Sequence, residues 1–555
     1  MAEKFMIIDG KQCAFTNERN VLEVAKKYDI EIPYLCYCEH LSIYKGCRLC
    51  VVEDEKGELV ASCGVEPKEG MVVHTNTAKV RNNRRKLLEL LLGSHNVDCA
   101  SCDKVGTCKL MEYAVKYGAT KPIKYNAQPR LPIDDSSVCI TRDPSKCILC
   151  GLCVRTCDEV QGVKALELVR KGSASYIGTA EGKPLAQTNC VGCGQCASVC
   201  PTGALVINNQ VKKMWEMIDS EDKVVVQVAP AVRVGIGEAF GLPEGEPVMG
   251  KIVTALKLLG ADIVYDTNMS ADLTIMEESA EFIDRLQKGG PLPLFTSCCP
   301  GWIQHAENKH PELLHNISSC GSPMEMLGAL VRKQFKNEHV YSVAIMPCTA
   351  KKFEAARPEL VKDGEPVIDL VLTTEELIRM IKEADIDFAN LADSECDNPL
   401  GDCTGAGVIF GVTGGVTEAV IRHVLNDASP DTLKTISECG VRGLQGTKIF
   451  SVTAGDLTIR IAVVSGLRNT DELIAKINSG EIEVDFVEVM ACPTGCINGG
   501  GQPHADGKLR EKRNDGLFLA DERYALRVSD DNPALKYAYD KLLRGRAHDL
   551  LHVHY

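Results

Sequence analysis

Apolar and polar positions along the chain fall into two rhythms, one of period two and one of period 3.6. Lys4 to Ile8 and Gln12 to Thr16 read as strands joined about Asp9-Gly10, a pair suited to a tight hairpin. Asn20 to Tyr28 reads as helix. Arg84 to Leu92 is strongly helical, and leucines 87, 88, 90, 91 and 92 are expected to provide its buried face. From about residue 210, apolar strands alternate with helical patterns, which predicts α/β lobes. Val224 to Val228, Val340 to Met346, Ile461 to Val464 and Phe486 to Met490 read as buried strands. The last three lead, directly or through the next loop, toward a cysteine motif or a glycine-rich turn. A parallel arrangement follows, with a ligand in the crevice at the strand carboxyl ends. Ile275 to Arg285 reads as a helix that sets Glu278, Glu281 and Arg285 on one face, for which surface ion pairing is the plain account.

At 555 residues the chain exceeds the roughly 250–300 at which single cores stop growing, so several domains are expected. The pattern divides it into 1–78, 79–125, 126–209 and 210–555, with Gln128-Pro129-Arg130-Leu131-Pro132 as a linker. No run of about 20 apolar residues spans a bilayer. Met1 to Gly10 lacks the features of a secretory signal, so a cytoplasmic location is expected. A net charge of −14 without a long basic run argues against nucleic acid as partner. Arg81-Asn82-Asn83-Arg84-Arg85-Lys86 reads as a solvated helix face, with docking of an acidic redox carrier as the alternative. Gly411 to Gly415 lacks the spacing of a dinucleotide fingerprint.

Cysteine changes the picture most. The 27 cysteines are odd in number and cluster in Cys-x-x-Cys steps, which in a reducing compartment means metal. Zinc competes as the explanation of any single pair. Cys36, Cys47, Cys50 and Cys63 are separated by ten, two and twelve residues, and Cys38 is an alternative first member. His95, Cys99, Cys102 and Cys108 follow with gaps of three, two and five. The run Cys147, Cys150, Cys153, Cys157 is repeated as Cys190, Cys193, Cys196, Cys200, the bacterial two-cluster pattern in which each fourth cysteine serves the other cluster. Cys147, Cys150, Cys153 and Cys200 therefore form one predicted ligand set, and Cys190, Cys193, Cys196 and Cys157 the other. Phe295-Thr296-Ser297-Cys298-Cys299-Pro300-Gly301-Trp302, Met346 to Glu354 and Glu488 to Pro503 supply Cys299, Cys348, Cys492 and Cys496, enough for one more cubane. Cys298 is left over beside it.

Those three segments resemble the active-site signature of the iron-iron hydrogenases, of the multi-cluster clostridial type and of the catalytic subunits of electron-bifurcating hydrogenases. The resemblance covers almost the whole chain, including Gly545 to His552. It implies an α/β catalytic domain of two lobes preceded by α+β ferredoxin-like modules, and reversible interconversion of protons plus electrons with hydrogen. It implies a 2Fe-2S cluster on Cys36, Cys47, Cys50 and Cys63, as in the large iron–sulfur subunit of respiratory complex I. It also implies three accessory 4Fe-4S clusters, one with His95 as a ligand. The H-cluster is expected on Cys299, Cys348, Cys492 and Cys496: a cubane joined through Cys496 to a di-iron centre with CO, CN and dithiolate ligands.

By the same resemblance Cys298 is the proton donor, followed by Glu278, Ser318, Glu281 and Arg285 toward solvent. Lys351 matches a lysine bonded to cyanide. Met346 and Met490 match methionines against the di-iron site, and Ala229-Pro230 and Ser322-Pro323 match segments lining its pocket. Ala231 and Thr494 depart from the serine and glycine common in relatives. Cys13, Cys38, Cys139, Cys320, Cys396, Cys403 and Cys439 receive no ligand role. Implied partners are ferredoxin, or flavin/NAD-binding subunits of a bifurcating complex, together with hydrogenase maturation proteins; no nucleic acid and no membrane. A non-catalytic complex-I-like electron-transfer subunit and a hydrogen sensor are the readings of another class, against which Cys298 and the glutamate row stand.

Overall fold

The computed structural model describes residues 3–123, 131–454 and 457–554, so Met1, Ala2 and most of the expected linker at Gln128 to Pro132 lie outside the described residues. It divides into two compact units: residues 1–159, 164–188 and 199–206, and residues 160–163, 189–198 and 207–555.

The first unit opens with the expected hairpin, Lys4–Ile8 against Lys11–Phe15, inside a five-stranded sheet completed by Val51–Asp54, Leu59–Ala61 and Val72–His74. The helix Val21–Lys27 packs on it, its first turn capped by the Asn20 side chain accepting from the Glu23 amide. The helix Ala78–Ser94 is present and buries Leu88 and Leu92 of the five expected leucines, but not Leu87, Leu90 or Leu91. Its buried stripe is Val80, Arg84, Leu88 and Leu92, spaced at i, i+4, while Leu90 is 39% exposed. A run of consecutive leucines winds around a helix, so only those in register with the stripe can reach the core. Arg84 takes a place in that stripe because its guanidinium donates to the Leu49 and Val51 carbonyls and the Tyr117 hydroxyl. The basic run thereby loses one charge from its solvated face.

The second unit holds two four-stranded sheets. One is wholly parallel, in the order Ile263–Asp266, Lys223–Val228, Val340–Met346, Leu370–Thr373. The other runs Leu294–Phe295, Phe486–Met490, Leu457–Ser465, Thr447–Ala454, and its last pair is antiparallel. The expected strands thus pair in parallel, and the antiparallel edge comes from Thr447–Ala454, a strand that the sequence pattern did not single out. Val224, Val226, Val228, Val343 and Ile345 are buried in the first core, and Ala462, Val464, Val487 and Val489 in the second. Both sheets aim carboxyl ends at one place: Val228 runs into Ala229-Pro230, Phe295 into Thr296 to Cys299, Met346 into Pro347-Cys348 and Met490 into Ala491-Cys492.

A 21-residue helix, Asn268–Lys288, serves this region. Its first two turns are buried all round, and Asp272 there is satisfied by the Thr404 amide and hydroxyl, the Ser529 hydroxyl and the Asn532 amide. Among the described residues no helix is long and apolar enough to cross a membrane.

Candidate active site

Cys299 caps the helix Pro300–Lys309, with Pro300 at its first position, where a missing N–H costs nothing. Trp302 is fully buried one turn along, its ring 5.5 Å from that of Phe295, and holds the turn against the sheet. Cys298 and Cys299 therefore project from a rigid strand-to-helix corner into a cavity of about 720 Å3. Cys348, Cys492 and Cys496 line the same cavity, so the three segments that supply the predicted ligands converge. The loop between Cys492 and Cys496 turns through Thr494 at φ +67° and Gly495 at φ +90°, where a Cβ would meet the Thr413 amide at 2.7 Å. Glycine is required at 495; Thr494 is a β-branched residue held in the left-handed region.

The remaining wall is apolar. Ala229, Pro230, Ala231, Pro323, Met346 and Met490 line it as expected, joined by Met324 and Phe410, which sequence reading did not single out. Ser322 does not line it: the segment contributes Pro323 and Met324, and the Ser322 hydroxyl donates to Glu354 at 3.2 Å. Four thiols facing dry, soft surface suit an iron–sulfur group, since burial raises the pKa of each thiol and only a cation offsets the cost of the thiolates. Space remains beyond the four sulfurs.

Lys351 brings the cavity its one ammonium, donating to the Cys298 carbonyl at 3.2 Å and to Glu354 at 2.6 Å. Burial lowers its pKa, but Glu354 and Glu325 outweigh that and hold it charged. Glu354 stands in the quoted motif, three residues after Lys351, and its role was legible from helical spacing alone. Glu325 was not: neither carboxyl oxygen has a hydrogen-bond partner among the described residues, and burial, then Glu354, pushes its pKa well up.

Cys298 lines the cavity as a thiol, its pKa raised well above the usual value by burial and then by Glu278. Glu278, 2% exposed, is pushed up to about 8 by burial and by the Glu281 charge, against the pull of the Ser318 hydroxyl and the Ser297 amide. The Ser318 hydroxyl, which lies between the two glutamates, donates to Glu281 Oε2 at 2.8 Å, and Arg285 bonds Glu281 Oε1 at 2.5 Å. Arg285, Glu281 and Ser318 are thus joined in sequence and Glu278 is buried beside Ser318; Glu281 keeps its ion pair with Arg285, while Glu278 makes none among the described residues.

In the first unit, Cys147, Cys150, Cys153 and Cys200 line one small cavity of about 410 Å3, the set predicted from the interleaved repeat. Cys36 and Cys47 are in hydrogen-bond contact, as are Cys50 and Cys63; their partners bring Cys36 down to about 6 and Cys50 to about 7. In each pair the partner, Cys47 or Cys63, is raised in turn, so it is the closeness of the sulfurs that suits a shared metal. Arg155 donates to the Cys36 carbonyl at 2.7 Å. His95 Nδ1 lies 3.0 Å from the Lys146 carbonyl, leaving Nε2 for a metal. Cys108 contacts the Pro201 carbonyl, and Cys102 Sγ stands 2.5 Å from where a Cβ on Gly203 would lie. Cys157 belongs to this unit, whereas Cys190, Cys193 and Cys196 lie in the segment assigned to the second.

Comparison with known proteins agrees with this geometry. The family described as "Iron only hydrogenase large subunit, C-terminal domain" matches residues 222–500. A 2Fe-2S iron-sulfur cluster binding domain matches 5–78, the NADH-ubiquinone oxidoreductase-G iron-sulfur binding region 84–122, a 4Fe-4S dicluster domain 146–204 and the iron hydrogenase small subunit 507–555. The chain is 43% identical to the NADP-reducing hydrogenase subunit HndD of Solidesulfovibrio fructosivorans, covering 99% of this chain and 98% of that one. It is 38% identical to iron hydrogenase 1 of Clostridium pasteurianum over the full length of both. Among solved structures, a variant of the FeFe-hydrogenase HydA1 of Chlamydomonas reinhardtii superposes with a TM-score of 0.54 at 38% identity, covering 62% of this chain and 98% of that chain. The chain therefore belongs to the iron-only hydrogenases: it is an oxidoreductase acting on hydrogen, with an H-cluster domain preceded by its own 2Fe-2S and 4Fe-4S modules.

Proposed function

We propose that Cys299, Cys348, Cys492 and Cys496 hold the H-cluster, and that Cys298, Glu278, Ser318, Glu281 and Arg285 carry protons between it and solvent. The observation that supports this reading is the hydrogen-bonded run of Arg285, Glu281 and Ser318, with Glu278 buried against Ser318 and Cys298 in the wall of a mostly apolar cavity. When bound, the H-cluster supplies the two-electron redox chemistry that joins protons into hydrogen. Cys298, kept as a thiol, offers a proton at Sγ. Glu278, neutral below about pH 8, replaces it. Ser318 accepts from Glu278 and donates to Glu281 with one hydroxyl, so a proton passes by exchange of hydrogen bonds. Arg285 bonds Glu281 Oε1 and fixes the side chain beside Ser318. Met346, Met490 and Phe410 exclude water, and Lys351 presents a fixed positive charge to an anionic ligand.

Electrons enter through the accessory clusters. The ligand sets are Cys36, Cys47, Cys50 and Cys63; His95, Cys99, Cys102 and Cys108; Cys147, Cys150, Cys153 and Cys200; and Cys157, Cys190, Cys193 and Cys196. The donor is a partner subunit that handles a nicotinamide nucleotide, with ferredoxin alone as the second reading. Likeness to an NADP-reducing hydrogenase subunit over nearly the whole chain supports the first. A cytoplasmic location fits either.

Anaerobic infrared spectroscopy of maturated protein tests the site. Carbonyl and cyanide bands that shift under hydrogen are expected, and their absence at full iron loading overturns it. Hydrogen-dependent reduction of ferredoxin by the isolated chain, compared with that of pyridine nucleotide after adding flavin-bearing subunits, decides the partner.

A further inference from the structure

Beside Glu281 lies a second group of side chains that the proton row does not use. Cys320 and His552 face each other across an antiparallel bridge, closed by the Gly321 amide on the Leu551 carbonyl at 2.7 Å and the Val553 amide on the Ser319 carbonyl at 2.6 Å. One donor atom each from Glu281, Cys320 and His552 lies within 4.8 Å of the other two, and the Cys320 thiol is 3.8 Å from Glu281 Oε2. Sulfur, imidazole nitrogen and carboxylate oxygen are the donors zinc takes, at about 2.0–2.3 Å. Three such donors around one tetrahedral ion are separated by roughly 3.3–3.8 Å, so a closing movement of about 1 Å completes the site.

The surroundings favour a dication. His552 Nε2 lies 3.1 Å from Glu277 Oε2, and the Tyr539 hydroxyl donates to the other oxygen of Glu277 at 2.5 Å. A carboxylate that grips the far nitrogen of a histidine is the usual support for a zinc-bound imidazole, and it leaves Nδ1 turned toward Ser319 and Glu281. Thiolate and carboxylate together neutralise the ion, and the Ser319 hydroxyl, 3.2 Å from Glu281 and 2.8 Å from His552, stands at a fourth position. Burial, Glu278 and Glu281 raise the Cys320 thiol without metal, and the Glu281 carboxyl beside it suits a cation. The cluster of His305, His310 and Asp471 offers no such balance, because the Lys309 ammonium already occupies Asp471 Oδ2 at 2.6 Å.

We propose that Glu281, Cys320 and His552 bind zinc(II), and that the bound ion stops proton passage through Glu281. Binding forms an S–Zn bond, and the thiol proton leaves to solvent. Glu281 Oε2 is the oxygen that receives the Ser318 hydroxyl, and a carboxylate oxygen held by a dication no longer takes up a proton readily. The inhibitory half of the proposal rests on the relay reading given above; the metal site does not.

The test uses maturated holoenzyme exposed to zinc sulfate under argon and freed of unbound ion. The zinc-edge X-ray absorption spectrum is expected to show one sulfur among nitrogen and oxygen neighbours. Hydrogen turnover is expected to fall at least about tenfold, with the infrared bands retained and activity restored by EDTA. Cys320→Ala and His552→Gln should each leave turnover without zinc unchanged and raise the half-inhibiting concentration by about tenfold or more. A zinc shell without sulfur, variants as sensitive as the unaltered chain, or loss of the infrared bands would overturn the proposal. Zinc bound through sulfur with turnover intact would keep the site, overturn the block and count against Glu281 as a proton carrier.

Discussion

The cage of Cys147, Cys150, Cys153 and Cys200 draws three sulfurs from one short run of chain, whereas that of Cys299, Cys348, Cys492 and Cys496 is assembled from the ends of three strands. The first encloses about 410 Å3 and the second about 720 Å3. Around the first, the Thr202 hydroxyl donates to the Lys146 carbonyl and Arg142 lies at the wall, but no acid or lysine lines it among the described residues. Lys351 and Cys298 line the second, with Glu278, Glu325 and Glu354 buried behind them. Holding a cubane for electron transfer asks only for four sulfurs, which one loop can nearly supply. Coupling electrons to protons asks for titratable groups with shifted pKa values, and those require helices and strands distant in sequence to meet.

Removing the titratable sulfur should separate the two cages most sharply. Cys298→Ala is expected to lower hydrogen turnover by about 10²–10⁴-fold, the span of one positioned acid, while the carbonyl and cyanide bands remain. Hydrogen–deuterium exchange at the H-cluster should fall equally, since exchange needs proton passage. Retained exchange would remove Cys298 from the proton row.

Removing a sulfur from the other cage should do the reverse. Cys150→Ala is expected to lose one cluster by iron count and to slow partner-driven turnover by about tenfold or more, leaving hydrogen–deuterium exchange near normal. A parallel loss of exchange would mean that the two cages depend on each other for folding, and the contrast between them would dissolve.

The row's pH dependence sharpens the same contrast. Glu278 is pushed up to about 8, so it carries a proton at neutral pH, and the loaded fraction falls with each unit above that value. Hydrogen production is therefore expected to decline above about pH 8, and Glu278→Gln to be severely slowed at every pH. The sign for stability follows. A carboxyl whose folded pKa exceeds its unfolded one contributes fully below about pH 4.5, and that contribution is lost as pH rises to about 8. Denaturation followed from pH 5 to 8 should show Glu278→Gln gaining relative to the unaltered chain. A flat difference would place the Glu278 pKa at its ordinary value.

The two cages also differ in how far they could be read from sequence. Cys147, Cys150, Cys153 and Cys200 could be grouped from their spacing, and the structure places those four around one cavity. Cys299, Cys348, Cys492 and Cys496 were legible only as motifs, and their neighbours unevenly so. Arg84 hid in a basic run because its acceptors, the Leu49 and Val51 carbonyls, come from another element. Glu325 and Met324 follow the recognised Ser322-Pro323, yet nothing local says which side chains of that helix start face the cavity. Ser322 was misread as lining because a segment match does not give side-chain direction. His552 meets Ser319 across 233 residues, and no periodicity announces such a bridge.

The smallest expected effect lies in the loop of the strand-built cage. Thr494 sits at φ +67°, where an L-residue costs about 1–2 kcal/mol and a β-branched one fits poorly. Its buried Oγ1 has no hydrogen-bond partner among the described residues, which adds a desolvation cost. Glycine removes both but is freer in the unfolded chain by about 0.5–1 kcal/mol. Thr494→Gly should therefore stabilise the second unit by about 1 kcal/mol, raising Tm by about 1–2 °C in an anaerobic melt of maturated protein. Turnover and infrared bands should stay unchanged, since Cys492 and Cys496 are anchored by the strand Phe486–Met490 and by Gly495. A lower Tm would show that the threonine methyl packs to more advantage than its backbone strain costs.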